Sequence, residues 1–522
     1  MNEIENLEKS NIPDVEIQQK NTPVPVKPDF LQALNMPDKL LPAGTFTFGI
    51  LFVWLLYGKL PGVSIPLFIL AFYALLLTYA RPVLKKEALF GWLLCIPVSM
   101  ISFTYLFFGN YVFRILNLLV LPVLVLLQTL QITGANNYKW YSPGAIIDLV
   151  YGVFFRCLAH IAKPVGIASV LFRRKSGEKG TKSIALRVMT GLLISLPLML
   201  ILMALLSSAD MVFGSFVGKF SKLFEGINLS NLTGKVISVL VISLLTFSYL
   251  WSLAHNEKIA ESTLKSLPPP LAAQKGFLDP VMVLTTTSAI NILYIVFVVI
   301  QFAYLFGGSG LPDGFTYARY ARSGFFELLL VTLLNIGFLA CTLTFAKKGV
   351  MAACMAMRIM NTIMICCTIV MLFSAYYRMS LYEEAYGYTF LRIMTQSFMV
   401  FLLVLFIITM ARVWKEGLSL LKPYIAVAIV AFVAVNYMNV DRIIVRKNIE
   451  RYTNTQVIDI PYFSSLSSDA VAEAMSLSKD KNPDVAKAVK ELVEQRKALL
   501  DKQSAWQSFN LADYHAGSEF GK

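Results

Sequence analysis

Long apolar runs recur along most of this chain, each close to the length needed to cross a lipid bilayer. An α-helix rises 1.5 Å per residue, so about 20 residues span a hydrocarbon core of ~30 Å. Of the 522 residues, 57% are hydrophobic and only 15% are charged, whereas soluble domains carry about 25% charged residues. The runs are continuously apolar rather than alternating, which excludes a transmembrane β-barrel. The sequence therefore predicts an all-α, polytopic transmembrane helical bundle.

Eleven candidate spans follow from these runs, and the first and last are short for a bilayer. They cover about 43–58, 63–80, 88–108, 112–131, 188–207, 236–254, 281–306, 324–346, 350–377, 393–411 and 424–438. The spans define a transmembrane helical domain over residues 41–438. Residues 1–40 are polar and contain scattered prolines, which predicts a disordered N-terminal tail.

Residues 439–522 are hydrophilic and predict a small helical C-terminal module. Asn482 has the side chain of a helix cap, Pro483 suits the first turn, and Asp484 suits the positive end of the helix dipole. The module is thin for an independent hydrophobic core. We therefore expect it to pack on the membrane domain or on Trp506 and Phe509.

Lysine and arginine are unevenly distributed between alternate loops, which predicts a cytoplasmic N-terminus. Eleven spans then place the C-terminus on the extracytoplasmic side, and an error of one span would reverse that assignment. The basic run RRKSGEKGTK (173–182) belongs to a predicted inner loop. It either only fixes the topology or also binds anionic lipid head groups.

The net charge of +14 fits the lysine and arginine enrichment of inner membrane loops better than it fits nucleic-acid binding. No combination of basic and aromatic residues forms a nucleic-acid recognition motif. The lipid bilayer is thus the predicted partner, with no nucleic acid, and the sequence names no protein partner.

No metal site, cofactor or known catalytic motif is predicted. The three histidines are far apart in sequence, and the six cysteines include no CxxC pair. Nucleotide-binding loops, nucleophile elbows and zinc-protease patterns are missing from the sequence.

Charged residues at span ends are the strongest candidates for function, because charge near a membrane interior is costly. In GFTYARYARSGFFELLL (314–330), Arg319, Ser323 and Glu327 fall on one face if the segment is helical, with Arg322 nearby. One interpretation is a structural Arg–Glu pair at the membrane interface. The other is a functional carboxyl whose pKa depends on its surroundings.

A second charged stretch, RMSLYEEAYGYTFLR (378–392), separates two apolar runs. Its candidate residues are Arg378, Tyr382, Glu383, Glu384, Tyr386 and Arg392. The adjacent carboxylates repel each other unless they are paired or solvated. Both stretches fall on the outer side in the predicted topology, so we expect their arginines to neutralise Glu327, Glu383 and Glu384 in one interhelical network.

Arg358 and Asn361 are the intramembrane polar candidates, about a third of the way into the span 350–377. Arg358 either extends its side chain to the inner face or lines a cavity with Asn361 one turn away. Asn291, Gln301 and Asn335 lie in neighbouring spans.

Four segments resemble, in order, the motifs of the bacterial membrane families known as domains of unknown function 4153 and 4173. They are GFTYARYARSGFFELL, RMSLYEEAYGYTFLR, NVDRIIVRKNIERY followed by DIPYFSSLSSDAV, and SAWQSFNL. The resemblance covers most of residues 40–515. It implies a multi-pass protein of the bacterial inner membrane and supplies no established activity, so it gives no catalytic residue.

Three classes of function remain open. A transporter or channel-like protein is favoured by the charged interhelical clusters. A non-catalytic membrane regulator or assembly partner would use the C-terminal module. An envelope enzyme acting on lipid or glycan would use Glu327, Glu383 or Glu384 as acid or base. A solvated tunnel to Arg358, a closed bundle with satisfied polar groups, or a lateral groove ending at paired carboxylates would distinguish the three.

Overall fold

The computed structural model describes residues 35–164, 166–167, 206, 229–255, 278–305, 325–347, 351–415, 417–502 and 505–521. Regular structure in these residues is helical, apart from an isolated bridge between Leu278 and Ala346. The all-α class is therefore confirmed. The predicted tail up to residue 34 and the basic run 173–182 lie outside the described residues.

The helices of the described residues are numbered in chain order. They are α1 Met36–Leu55, α2 Ser64–Ala80, α3 Leu89–Leu93, α4 Cys95–Phe107, α5 Tyr111–Thr133, α6 Ala145–Tyr151, α7 Leu229–Ala254, α8 Pro280–Leu305, α9 Phe325–Phe345, α10 Met351–Tyr386, α11 Phe390–Trp414, α12 Leu421–Tyr437, α13 Val440–Thr455, α14 Ile460–Phe463, α15 Ser468–Ala474, α16 Pro483–Asp501 and α17 Leu511–Phe520.

Nine stretches of the described chain are long and apolar enough to cross a membrane. They are α1, α2, the pair α3–α4, α5, α7, α8, α9, α10 and α11. A tenth is added if α12 and α13, which meet at a bend of 58°, count as one broken span. The predicted total of eleven is thus not confirmed, and the predicted span 188–207 lies outside the described residues except for Leu206.

The spans form two groups of helices. In the first group α1 packs along α7, and α2 and α5 complete a core around Leu76, Phe247 and Trp251. Helix α4 packs on α2 and α5 in a separate core that includes Val98 and Ile101. In the second group α10 packs against α8, α9 and α11. Helix α12 contacts both α11 and α4, so it joins the two groups.

A buried amide fixes the position of α12 against the first group. The Asn117 side-chain amide of α5 donates to Thr104 Oγ1 of α4 at 2.9 Å and to Asn436 Oδ1 of α12 at 2.7 Å. All three side chains are buried. A buried polar group is costly unless it is hydrogen-bonded, so these bonds favour one arrangement of the three helices.

Helices α13 to α17 pack on one another around an apolar core that includes Ile444, Phe463 and Val471. The same core takes in Phe113 from the start of α5 and Ile393 from the start of α11. The C-terminal module (residues 439–522) therefore rests on the membrane helices, as its thin composition predicts. Asn482 accepts a hydrogen bond from the Asp484 amide at 3.0 Å with Pro483 as the next residue, so the predicted helix start is confirmed.

The module lies at the end of α1 that is remote from Met36. Trp506 packs on Trp54, the penultimate residue of α1, with ring centroids 5.2 Å apart. The amide of Val63, just before α2, donates to the Phe509 carbonyl at 2.9 Å. We call this end of the bundle the module side and the opposite end the far side.

Close packing of α1 on α7 depends on the absence of a side chain at Gly49. A Cβ there would lie 2.5 Å from the Val239 carbonyl oxygen and would also collide with Ser243 Oγ. Gly337 in α9 is the natural control, because a Cβ at that position has open space around it.

We expect Gly49→Ala to destabilise the purified protein by about 1–3 kcal/mol, since overpacking forces the two helices apart. Gly337→Ala should be neutral or stabilising by up to about 1 kcal/mol, because alanine favours the helix over glycine. Thermal unfolding in detergent, followed by size-exclusion chromatography, measures both variants. A melting temperature for Gly49→Ala equal to that of Gly337→Ala would contradict the close packing.

Candidate functional site

The turn between α10 and α11 is the part of the charged stretch 378–392 around which polar contacts concentrate. Gly387 ends α10 with a φ of +85°, a conformation that glycine adopts without strain. Its amide donates to the Glu383 carbonyl at 2.8 Å. Helix α11 begins three residues later, at Phe390.

Three side chains of the C-terminal module hold this turn. Arg451 of α13 donates from Nε to the Glu384 carbonyl and from a terminal nitrogen to the Ala385 carbonyl, both at 2.7 Å. Those carbonyls belong to the last turn of α10, where the helix itself supplies no donors. A cation at the C-terminal end of a helix is also favoured by the helix dipole. Arg451 therefore caps α10 from a different part of the chain.

Asn448 and Tyr462 fix the residues that follow Gly387. The Asn448 side chain accepts from the Tyr388 amide at 2.9 Å and donates to the Tyr388 carbonyl at 2.8 Å. The Tyr462 hydroxyl accepts from the Phe390 amide at 2.9 Å, at the start of α11. The turn thus forms the docking surface for the module.

Beneath the turn, Glu383 is a buried carboxylate, with only 2% of the residue exposed. Gln396 of α11 donates to its Oε2 at 2.7 Å. Its Oε1 has no hydrogen-bond partner among the described residues. Glu383 is therefore a buried acid with spare hydrogen-bonding capacity, located between α10 and α11.

Arg392 of α11 also belongs to this turn. Its guanidinium stands 4.2 Å from the centre of the Tyr382 ring, a cation–π geometry. It also donates to the Gly387 carbonyl. The Tyr382 and Tyr386 rings pack at 4.9 Å, and Arg378 is buried one turn earlier in α10.

A second anchor joins the module to the turn between α4 and α5. Asp441 of α13 accepts from the Asn110 side chain at 2.7 Å and from the Ser467 amide at 3.0 Å. Burial raises the pKa of the Asp441 carboxyl above its ordinary value, while the bonds from Ser467 and Asn110 act in the opposite direction.

The predicted network between the two charged stretches stays a prediction. Arg319 and Arg322 lie outside the described residues. Glu327 is exposed in the first turn of α9 and makes no ion pair with any described residue, Arg378 and Arg392 included. Glu384 is exposed whereas Glu383 is buried, so these neighbours do not form a shared pair of carboxylates.

The intramembrane candidates lie beside a series of polar contacts through the second helix group. Asn361 is buried and Arg358 is half-buried. Asn291 of α8 donates to the Met360 carbonyl at 2.8 Å. We call this series, which connects α8, α9 and α10, the polar seam.

The rest of the polar seam continues toward the module side. The Tyr294 hydroxyl donates to Asn335 Oδ1 at 2.7 Å, and the Asn335 amide donates to Thr368 Oγ1 at 2.9 Å. Gln301 donates to Ser374 Oγ at 2.7 Å. Along α10 the seam extends from Asn361 to Ser374, which is about 20 Å at the helical rise per residue.

The residues that sequence reasoning missed are Gln396, Asn448, Arg451 and Tyr462. The motif containing Asn448 and Arg451 was recognisable, but its partner was not, because Arg451 contacts carbonyls more than 60 residues earlier in the chain. Backbone carbonyls carry no side-chain signature, so no pattern in the sequence marks them as acceptors.

Metal-binding residues do not cluster in the described part of the chain: no group of three or more His, Cys, Asp or Glu side chains is placed to hold an ion. The contacts around the α10–α11 turn are hydrogen bonds and one cation–π contact. Chemically, the arrangement can hold the C-terminal module and bury one carboxyl group.

A family model described as "Domain of unknown function (DUF4153)" matches residues 95–477. The match begins at α4 and ends in the turn that follows α15, so it contains the α10–α11 turn together with Asn448, Arg451 and Tyr462. No curated protein and no solved structure matches the chain.

The docking surface can be tested at Gly387, where a Cβ would lie 2.7 Å from Asn448 Oδ1. Gly58, with a φ of +68° and no atom within 4 Å of its hypothetical Cβ, is a matched control for backbone strain. We expect Gly58→Ala to cost about 1 kcal/mol through its left-handed conformation. Gly387→Ala should cost about 2–3 kcal/mol, because Asn448 must also lose hydrogen bonds to Tyr388.

Thermal unfolding together with hydrogen exchange of residues 440–455 measures the difference between the two alanine variants. Equal loss of stability, with unchanged exchange in α13, would show that Asn448 does not hold the turn.

Proposed function

Because the chain belongs to the DUF4153 family, whose name assigns no activity, we propose its function from its own contacts: it is a non-catalytic membrane regulator or assembly partner. The property that it would regulate is the position of the C-terminal module on the α10–α11 turn. The observation that carries the proposal is the capping of α10 by Arg451. This contact couples the end of a 36-residue helix, one of the candidate spans, to an extramembrane surface.

The surroundings of the turn support a regulatory coupling rather than catalysis. Asn448 and Tyr462 satisfy backbone groups of the turn, and Glu383 and Glu384 differ in exposure. Catalysis by a pair of carboxylates needs both groups beside one substrate position. The α10–α11 turn contains no such pair of groups. It does form the docking surface for the C-terminal module.

Charge on the two ends of the bundle supports an extracytoplasmic module. The described far-side segments between spans contain Arg81, Lys85, Lys86, Lys347, Lys415 and Lys422. The described module-side turns contain Lys59, and the adjoining helix ends contain Arg114, Lys235, Arg378 and Arg392. The positive-inside rule then assigns the far side to the cytoplasm and the module to the outer face of the bacterial inner membrane.

Arg451→Ala tests whether the module is held as proposed. Loss of charge-assisted bonds to two carbonyls should raise hydrogen exchange of residues 440–455 by about tenfold or more in nanodiscs. Arg446→Ala, on the same helix in an exposed pair with Glu450, should leave the exchange unchanged.

The regulatory part of the proposal is tested by a change inside the membrane domain. Thr368→Val removes the hydroxyl that accepts from Asn335, and a helix-coupled module should respond with altered exchange in α13. Thr395→Val is the control, because Thr395 is a half-buried residue of α11 whose hydroxyl bonds to the Leu391 carbonyl of its own helix. If Thr368→Val leaves the hydrogen exchange of α13 unchanged, the module does not respond to the membrane domain and the regulatory proposal fails.

A transporter or channel-like function is the second candidate, and the polar seam favours it. Asn291 Oδ1, Gln301 Oε1 and Asn361 Oδ1 are buried without hydrogen-bond partners among the described residues. Unsatisfied polar atoms at membrane depth are expensive and are typical of sites that hold water, an ion or a substrate.

Proteoliposomes test this candidate directly. A transporter should show ion or solute flux above protein-free vesicles, and Asn361→Leu should reduce that flux at least about tenfold by removing a buried ligand group. Thr362→Val, on the adjacent residue, should retain it, since its hydroxyl bonds within its own helix to the Arg358 carbonyl. Flux that is indistinguishable from empty vesicles for a panel of cations and anions would count against the channel interpretation.

A further inference from the structure

Two cavities adjoin at the module side of α1, and neither belongs to the docking surface at the α10–α11 turn. The first is a groove of about 540 Å³ along the outer surface of α1 and α2. Its lining is apolar apart from two threonines and consists of Gly44, Thr47, Phe48, Ile50, Leu51, Trp54, Ala71, Ala74, Leu75 and Thr78.

The groove has the length of one lipid leaflet. Gly44 and Trp54 are ten residues apart in α1, which corresponds to about 15 Å at 1.5 Å per residue. Half of a hydrocarbon core of ~30 Å is the same distance. Small side chains at Ala71 and Ala74 leave space for one acyl chain between the two helices.

The second cavity, also about 540 Å³, lies in the C-terminal module. Aromatic residues Trp506, Phe509 and Tyr514 form part of its lining, and Asp501 and Asp513 contribute carboxylates. The exposed fraction is 48% for Trp506 and 61% for Tyr514. Aromatic faces and carboxylates together favour a cationic ammonium group.

The indole rings of Trp54 and Trp506 connect the groove to the module cavity. Trp54 lines the groove, Trp506 lines the module cavity, and their centroids are 5.2 Å apart. Neither indole N–H donates to an acceptor within the described chain. Tryptophan is enriched at the boundary between the hydrocarbon and the head groups, where its N–H meets polar lipid atoms.

Charge follows the order of a zwitterionic head group. The Lys59 ammonium lies 2.5 Å from the Trp54 carbonyl, at the level where the groove ends and a lipid phosphate would lie. Asp501 and Asp513 are in the module cavity beyond it. Asn510 caps α17 by accepting from the Asp513 amide at 2.8 Å, and its side-chain amide donates to the Asp513 carboxylate. Asp501 makes no ion pair in the described residues, so Asp501 is the freer carboxylate.

We propose that the two cavities together bind one phospholipid of the module-side leaflet, with an acyl chain in the α1–α2 groove and an amine head group in the module cavity. Phosphatidylethanolamine has this chemistry. The site does not depend on the regulatory function proposed above, because it uses neither the α10–α11 turn nor the polar seam.

Native mass spectrometry of the full-length protein tests the proposal. The protein is released from nanodiscs that contain equal amounts of phosphatidylethanolamine and phosphatidylglycerol in phosphatidylcholine. We expect wild-type protein to retain phosphatidylethanolamine in preference to phosphatidylglycerol. Equal retention of the two lipids would overturn the head-group assignment.

Asp501→Asn should lower the ratio of retained phosphatidylethanolamine to phosphatidylglycerol about threefold, the loss expected for one exposed ammonium–carboxylate contact. Glu494→Gln makes the same charge change on the same helix, at an exposed position outside the cavity lining, and should leave the ratio unchanged. An unchanged ratio in Asp501→Asn, or an equal fall in Glu494→Gln, contradicts the proposal.

The groove is tested by filling it. Ala74→Phe should remove most of the retained lipid, while Leu70→Phe, an equally lipid-facing position of α2 outside the groove, should not. Both variants must elute as the wild type does in size-exclusion chromatography.

A displacement experiment with soluble glycerophosphoethanolamine separates a lipid from a free amine. Full displacement of the lipid would show that the module cavity binds a free amine and would overturn the lipid proposal, whereas retention of the lipid supports it.

Discussion

The last turn of α10 ends with carbonyl groups that its own helix cannot satisfy, and Arg451 supplies donors to two of them. Much of the arrangement on the module side depends on this contact. It orients α13 over the α10–α11 turn, where Asn448 and Tyr462 bind the backbone of the next residues. A helix end that would otherwise be left to solvent becomes a specific surface for the rest of the module.

The module also contacts the first helix group. It reaches the α4–α5 turn through Asp441 and Asn110, and the α1–α2 turn through Trp506 and Phe509. Helix α12 joins the two groups within the bundle, and the module joins them outside it. A relative movement of the helix groups would therefore have to break polar contacts at one of these turns. This constraint is the physical basis of the regulatory function that we propose.

Two further features have different chemistry from the docking surface. The polar seam places amides and hydroxyls between α8, α9 and α10, where no bilayer lipid can satisfy them. The α1–α2 groove and the module cavity face outward and combine apolar, aromatic and acidic surfaces. The protein thus separates an internal polar contact series, a docked module and an outward-facing pair of cavities into three places.

By itself the sequence determined the helical class, the existence of most spans and the start of α16 at Asn482 and Pro483. These features follow from local rules: apolar runs of bilayer length and the hydrogen bonds of a helix cap. The sequence also directed attention to residues 378–392, because adjacent charges between apolar runs are costly wherever they lie.

Only the tertiary structure decided which partners those charges have. Glu383 accepts from Gln396, Arg392 covers Tyr382, and Glu327 is exposed and makes no ion pair with a described residue. The expected network stays a prediction, because Arg319 and Arg322 lie outside the described residues. Charge pairs at i and i+4 can be found from spacing, but contacts between helices depend on how the helices rotate and tilt against each other. The acceptors of Arg451 are backbone carbonyls, which are alike at every residue, so only the folded chain singles them out.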